Sequence, residues 1–328
     1  MKSAARIAAG IIVSATFAWL TVSRVNVGEV GQALGKAAPL GVALAILFGW
    51  LEIATRAWRW RFLLSPLGKV TYRHAFAYTC VGYFANTLLP MRLGDVARGY
   101  LAATALRLPR MATLGSIVTE RLADGLTILF VAASLGLVVT DASRVASVEA
   151  WTVLAIAAVL FLAALALLAS RHRAAVMRLL PERLCTFAGR LVRGTEATRT
   201  PKGLAITVGS TLVAYCFAVA AMIAVSSAVG LSITPAQAAF AMAWIGLSTA
   251  IPAAPGSVGT YEFVGVSVLT LLGQEPNAAL AAVVLLHVIG TLPVALVGLV
   301  TTWVLHLRVW RVELAPVALQ SEGAAAAE

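Results

Sequence analysis

The sequence predicts an all-α integral membrane protein built as an inverted repeat, and three observations carry that prediction. Hydrophobic residues make up 60% of the chain and charged residues 12%, with a mean hydropathy of +0.91, which leaves too little polar surface to cover a soluble globule of this length. Apolar runs long enough to span a bilayer recur from one end to the other. A broken apolar segment also occurs twice: Ala75, Phe76, Ala77 and Gly82 return 164 positions later as Ala239, Phe240, Ala241 and Gly246. After a one-residue insertion, Pro90 and Gly94 return as Pro255 and Gly259.

Crossings need ~20 apolar residues, and six runs qualify: about 5 to 23, 39 to 57, 111 to 139, 151 to 169, 204 to 229 and 278 to 305. The first follows Lys2 and Arg6 as a signal peptide would, but no small-residue cleavage site follows it, so it reads as an uncleaved anchor. The two repeated segments are too short to cross, and each suits a re-entrant hairpin broken by Pro and Gly. Each half therefore holds two transmembrane helices, a hairpin and a third transmembrane helix. Residues 1–310 form one membrane domain of two repeats, about 1–140 and 150–310, followed by an Ala-rich tail at 311–328.

Charge placement sets the orientation. Arg56, Arg59, Arg61, Lys69 and Arg73 follow the second crossing, and Arg171, Arg173, Arg178, Arg183, Arg190, Arg193, Arg199 and Lys202 follow the fourth. By the positive-inside rule both loops and both termini are cytoplasmic; the expected location is a plasma membrane, the inner one of a bacterium. The loops around Val25 to Lys36, Thr140 to Ala150, Gly230 to Pro235 and Gly273 to Asn277 face outward. This rule accounts for the net charge of +11 without a nucleic-acid partner. Three crossings separate the hairpins, so they enter from opposite faces and can bring their breaks together near the midplane, the arrangement of a transporter site.

Polar residues at membrane depth mark that site. Glu120, Arg121 and Asp124 lie on the third crossing, ~14 to 20 Å from its start. Arg121 can pair with Asp124, which leaves Glu120 over, and an intramembrane carboxylate is functional by default. Around the first break stand Asn86, Arg92, Asp95 and Arg98, and Arg92, Arg98 and Arg121 form a candidate anion site because a guanidinium fork matches phosphate. At the second break Pro252, Pro255, Gly256 and Gly259 prevent a continuous helix, as Pro90 and Gly94 do at the first, so these six are hinge or gate positions. Tyr261 and Glu262 follow, with capping as the plain role of Glu262. Aligning Pro109 with Pro276 sets Glu120 against His287, a candidate for proton coupling. Cys80, Cys185 and Cys216 show neither metal nor disulfide spacing. No metal or cofactor is expected.

The motifs Asn86-Thr87-Leu88-Leu89-Pro90-Met91-Arg92-Leu93-Gly94-Asp95 with Arg98, then Glu120-Arg121 with Asp124, then Pro255-Gly256-Ser257-Val258-Gly259-Thr260-Tyr261-Glu262, resemble the flippase-like membrane domain of lysylphosphatidylglycerol synthases. The resemblance runs from about residue 5 to 310. It implies movement of an anionic or aminoacylated phospholipid, or of a polyprenyl-phosphate-linked lipid, between leaflets, with the substrate-binding residues named above. Relatives linked to polyprenyl-phosphate-dependent glycosylation imply enzymes of envelope-lipid synthesis as partners. Two departures stand out: no aminoacyl-transferring domain follows residue 310, so the expectation is a non-enzymatic protein, and His287 stands where the family frequently has Arg. Alternatives are a small-solute secondary transporter, for which opposed hairpins are equally apt, and a membrane enzyme or accessory subunit of lipid-linked glycosylation. The pattern carries no signature of oligomeric state.

Overall fold

The structure, a computed structural model, describes residues 2–89, 92–139, 189, 191–249 and 253–307, with residues 2–11 and 137–139 described as backbone only. The predicted fourth crossing, the arginines from Arg171 to Arg190, Cys185, Pro90, Pro252, Arg308, Arg311 and the 311–328 tail lie outside the described residues. Every element among the described residues is helical: α1 (Lys2–Val22), α2 (Val27–Gly35), α3 (Pro39–Leu64), α4 (Tyr72–Leu88), α5 (Leu93–Ala105), α6 (Arg110–Val139), a 3-10 turn (Arg193–Thr198), α7 (Pro201–Ala228), α8 (Pro235–Ser248), a 3-10 turn (Pro255–Ser257), α9 (Thr260–Leu271) and α10 (Pro276–Val304).

Local chemistry fixes most helix starts. Thr200, Thr234 and Glu275 each precede a proline at the first helical position, where a fixed φ suits the helix and the missing N–H costs nothing. The Thr200 hydroxyl accepts from the Gly203 N–H, and Thr234 with Gln237 closes a reciprocal capping box. Glu275 accepts from the N–H groups of Asn277 and Ala278. Asn26 caps α2, so Val27–Gly35 is a helix within the stretch from Val25 to Lys36 that the sequence reading expected to be an outer loop. A search for long apolar runs passes over such a helix, because its nine residues are held by packing and capping rather than by length. Asn277 pins it, accepting from the Asn26 N–H and donating to Glu29.

Helices α3, α7 and α10 are long and apolar enough to cross a membrane. Large apolar side chains stay exposed along them at helical spacing, such as Leu40, Leu44, Leu47 and Leu51 on α3 and Val288, Leu292, Leu296 and Leu299 on α10. In water such stripes would be liabilities; against lipid tails they are the expected outer face. By contrast α4, α5, α8 and α9 hold 17, 13, 14 and 12 residues, short of the ~20 that a crossing takes. They form two helix–break–helix units, α4 with α5 and α8 with α9.

Two apolar cores flank these units. Met222, Val225, Phe240, Ala241, Leu269, Val283 and Leu286 bring together α7, α8, α9 and α10. Trp60, Leu64, Tyr78, Ala102 and Ile117 bring together α3, α4, α5 and α6. Helix α3 contributes Ala45 to the first core and Trp60 to the second, so one rod ties both. Helix α10 does the same from the other side, with Leu286 in the first core and Val294 against Cys80 of α4.

Candidate functional site

Both broken units open onto one cavity of about 610 Å³. Tyr83, Asn86 and Arg92 reach it from the first unit, Met242, Gly246, Ala254, Gly256 and Tyr261 from the second, Glu52 and Arg56 from α3, Arg121 and Asp124 from α6, and His287 and Thr291 from α10. Its size lies within the ~300 to 1,000 Å³ of small-ligand sites.

Glycine is what lets the first unit close. A Cβ on Gly94 would sit 2.3 Å from the Gly82 carbonyl oxygen and 2.5 Å from Asn86 Oδ1, so α5 crosses α4 at a distance that a methyl group forbids. Arg92, the residue that opens α5, has φ 53° and ψ 33°, a left-handed conformation that costs a non-glycine residue roughly 1 to 2 kcal/mol. At the second break Gly256 and Gly259 have φ 72° and 89°. Gly259 meets a double constraint, because a Cβ there would also lie 2.3 Å from the Ser14 carbonyl oxygen of α1. The Ser14 hydroxyl accepts from the Ala254 N–H, which seats the break against α1.

From the cavity wall inward runs a closed ring of alternating charge, with Arg121 and Asp124 at the wall and Arg59, Arg98 and Glu120 behind it. Arg59 donates to Asp124 at 2.7 Å and to Glu120 at 3.0 Å. The other Glu120 oxygen accepts from Arg98 at 2.7 Å, and Arg98 Nε lies 3.7 Å from Asp95. Asp95 accepts from Arg121 at 3.1 Å, and Arg121 closes the ring at 3.6 Å from Asp124. Arg56 adds a branch, donating to both Asp124 and Glu52 at 2.8 Å. Four guanidinium groups thus meet four carboxylates, and the assembly is neutral. Thr211 of α7 accepts a further bond from Arg59, and the Arg98 guanidinium lies over the Trp60 ring. Charges as buried as those of Arg59, Arg98 and Glu120 persist only when paired and hydrogen-bonded.

Arg92 stands apart. It lines the cavity and forms no ion pair among the described residues. Counting the described groups at the cavity surface, Arg56, Arg92 and Arg121 face Glu52 and Asp124, three cations against two anions, so the lining carries an excess of one positive charge. Asn86 Oδ1 is buried there and finds no hydrogen-bond partner among the described residues.

The second break has its own polar cluster. His287 Nδ1 meets a Glu262 carboxylate oxygen at 2.5 Å, and Nε2 meets the Gly256 carbonyl oxygen at 3.0 Å. The Tyr261 ring stacks on the imidazole with centroids 4.2 Å apart. The other Glu262 oxygen accepts from the Gly259 N–H at 2.7 Å. Glu262 therefore caps α9, as its position implies, and also holds His287.

Of the residues singled out by sequence, Asn86, Arg92, Arg121, Asp124, Gly256, Tyr261 and His287 line the cavity together. Glu120 does not, and it is not the unpaired carboxylate of the sequence reading, because Arg59 and Arg98 hold both of its oxygens. Arg98, grouped by sequence with Arg92 and Arg121, is buried in the ring with Glu120. Asp95 sits in the ring beside Arg121, and Gly94, Pro255, Gly259 and Glu262 form the two turns. Arg56, Arg59 and Glu52 were missed. The sequence reading ended the second crossing near residue 57 and counted Arg56, Arg59 and Arg61 as loop charges, whereas α3 runs on to Leu64 and carries all three. The available signal was the Glu52, Arg56 spacing of four, a helical pair.

Lipid-facing helices around an internal charged cavity make this an integral membrane protein with a site at the meeting of two broken helices. The chain belongs to the lysylphosphatidylglycerol synthase transmembrane-region family, whose model matches residues 7–298. It is also similar to glycosyltransferase AglD of Haloferax volcanii, 27% identical over 326 residues, covering 86% of this chain and 52% of that protein. The chain thus spans about half the length of that curated relative.

Proposed function

We propose that this protein moves a phosphate-bearing lipid between the leaflets of a bacterial inner membrane, with both termini cytoplasmic. The observation that carries the reading is Arg92, without an ion-pair partner among the described residues, at a cavity shared by two broken units and beside a charge ring that is already neutral. A headgroup phosphate supplies the missing charge, with Arg92 as its main partner and Arg121 and Arg56 alongside, while the acyl or polyprenyl chains stay in the bilayer. Six crossings and two re-entrant units of opposite orientation, related as an inverted repeat, give such a site access from either side in turn. The short lengths of α4, α5, α8 and α9 support re-entrance. Anionic or aminoacylated phospholipids and polyprenyl-phosphate-linked lipids all carry the required group. The protein acts here as a carrier and not as an enzyme: each carboxylate at the cavity is engaged by an arginine, an arrangement that suits holding charge more than abstracting protons.

A second reading follows from the similarity to glycosyltransferase AglD. The protein would then act within lipid-linked glycosylation, alone or beside a partner enzyme. Reconstitution in vesicles distinguishes the two. Leaflet exchange of fluorescent phospholipid or polyprenyl-phosphate analogues that drops to the protein-free rate in Arg92→Ala supports the carrier. Equal exchange in both proteins sinks it, and sugar transfer to a polyprenyl phosphate by the purified protein installs the alternative.

A further inference from the structure

The imidazole of His287 faces two acceptors. A carbonyl oxygen can only accept, so the hydrogen bond between Nε2 and Gly256 requires a proton on Nε2. Nδ1 faces a Glu262 oxygen at 2.5 Å, and that approach requires a proton between the two atoms. A neutral imidazole carries one ring proton, so the arrangement holds one proton more than a neutral ring beside an ionised carboxylate. It is imidazolium with carboxylate, or imidazole with carboxylic acid; in both forms the pair binds one extra proton.

We propose that His287 and Glu262 are a proton-binding site and that this proton latches the second break to α10. When it leaves, one ring nitrogen presents a lone pair to an acceptor. The charged carboxylate is the stronger acceptor, so the remaining ring proton stays toward Glu262 and the hydrogen bond from Nε2 to the Gly256 carbonyl breaks. Gly256 has φ 72° and its neighbour Ser257 φ 58°, so the segment released is one already held in a costly conformation.

The surroundings fit a site for a proton. Tyr261 of α9 covers one ring face, and α1 offers Ser14 to the break. Of the charged groups facing the cavity, Arg56, Glu52, Arg121 and Asp124 on α3 and α6 are tied to one another. Tyr83 on α4 and Arg92 are the other titratable groups of the described lining besides Tyr261 and His287, which leaves Glu262 as the acidic partner of His287. The place of the latch in a transport cycle rests on the carrier reading above; the proton site itself does not.

Two measurements on the full chain in lipid nanodiscs test it. With ¹⁵N-labelled histidine, and His287→Gln to assign the signals, His287 is expected to carry a proton on Nε2 at low pH and to lose it as pH rises, whereas Glu262→Gln, whose amide can donate to Nδ1, is expected to keep the Nε2 proton throughout. The second measurement is maleimide labelling of Val258→Cys, which lies exposed within the break, in a background lacking the other cysteines. Its rate divided by the rate in the added Glu262→Gln variant removes the thiol's own ionisation, and this ratio is expected to rise several-fold across the His287 titration. An Nε2 that keeps its proton at every pH in the unsubstituted protein overturns the proposal, and so does a flat ratio. Should Glu262→Gln fail to fold, the wild-type titration alone decides. Absence of lipid exchange would remove the carrier reading and leave this result standing.

Discussion

Arg98 on α5 and Glu120 on α6 meet at 2.7 Å with side chains 1% and 2% exposed. A sequence search for intramembrane charge finds both and assigns both to the ligand, yet their geometry is that of a lock between helices. Removing one partner of such a pair leaves the other buried and uncompensated, at a cost of roughly 3 to 5 kcal/mol. Arg98→Ala and Glu120→Ala are therefore expected to lower the unfolding temperature in detergent sharply and to reduce folded yield. The double replacement Arg98→Met, Glu120→Leu should recover part of the loss. A Glu120→Ala protein of wild-type stability that only fails to move lipid would return Glu120 to the ligand.

Arg92 makes the opposite prediction. Its left-handed backbone favours glycine and its side chain makes no ion pair among the described residues, so Arg92→Gly should be neutral or gain about 1 kcal/mol in stability. Headgroup affinity should fall about 10- to 100-fold, the worth of one charge-assisted hydrogen bond. Arg92→Lys keeps the charge without the planar fork and should fall between. Isothermal binding of a short-chain phospholipid, read beside thermal unfolding, separates the two effects.

The close crossing at Gly94 gives a third test. A methyl group there meets the backbone carbonyl of Gly82, which cannot swing away as a side-chain tip can. Gly94→Ala should cost about 1 to 3 kcal/mol through overpacking and slow leaflet exchange, because α5 must shift and carry Arg92 with it. Gly246 offers the contrast within the same repeat pattern. Its added Cβ would meet only the flexible Ile128 side chain, with Cδ1 at 2.7 Å, so Gly246→Ala should be markedly milder in both measurements.

What the chain discloses before any coordinates follows from how local each signal is. Helix starts at Pro201, Pro235 and Pro276 are written in three or four adjacent residues, and long apolar runs announce α3, α7 and α10 without help from packing. The two breaks are legible because proline and glycine act on their own backbone. The charge ring is not, because Arg59, Glu120 and Arg98 come from three helices and no spacing in the chain relates them. Likewise His287 and Glu262 both stood out as titratable, yet only the fold of the second break brings them together. Arg56 and Arg59 were misplaced for a different reason: arginine at a helix end and arginine inside a helix look alike where the apolar run stops and the helix does not.

Arg59 offers the most graded test of the ring, because its three partners differ in charge. One nitrogen serves both Asp124 and the hydroxyl of Thr211, while the other serves Glu120. Thr211→Val removes only a neutral acceptor and should cost about 1 kcal/mol. Arg59→Lys keeps one positive charge but loses the fork that spans two carboxylates, so it gives up at least one charge-assisted bond of roughly 1.5 to 3 kcal/mol. Arg59→Ala leaves Asp124 to Arg56 and Glu120 to Arg98 while stripping a full charge from the ring, and should cost the most, roughly 3 to 5 kcal/mol. The predicted order in unfolding temperature is therefore Thr211→Val, then Arg59→Lys, then Arg59→Ala. If lysine proved as damaging as alanine, the fork rather than the charge would be what holds α3 to α6; if alanine proved harmless, the ring would not be the lock described here.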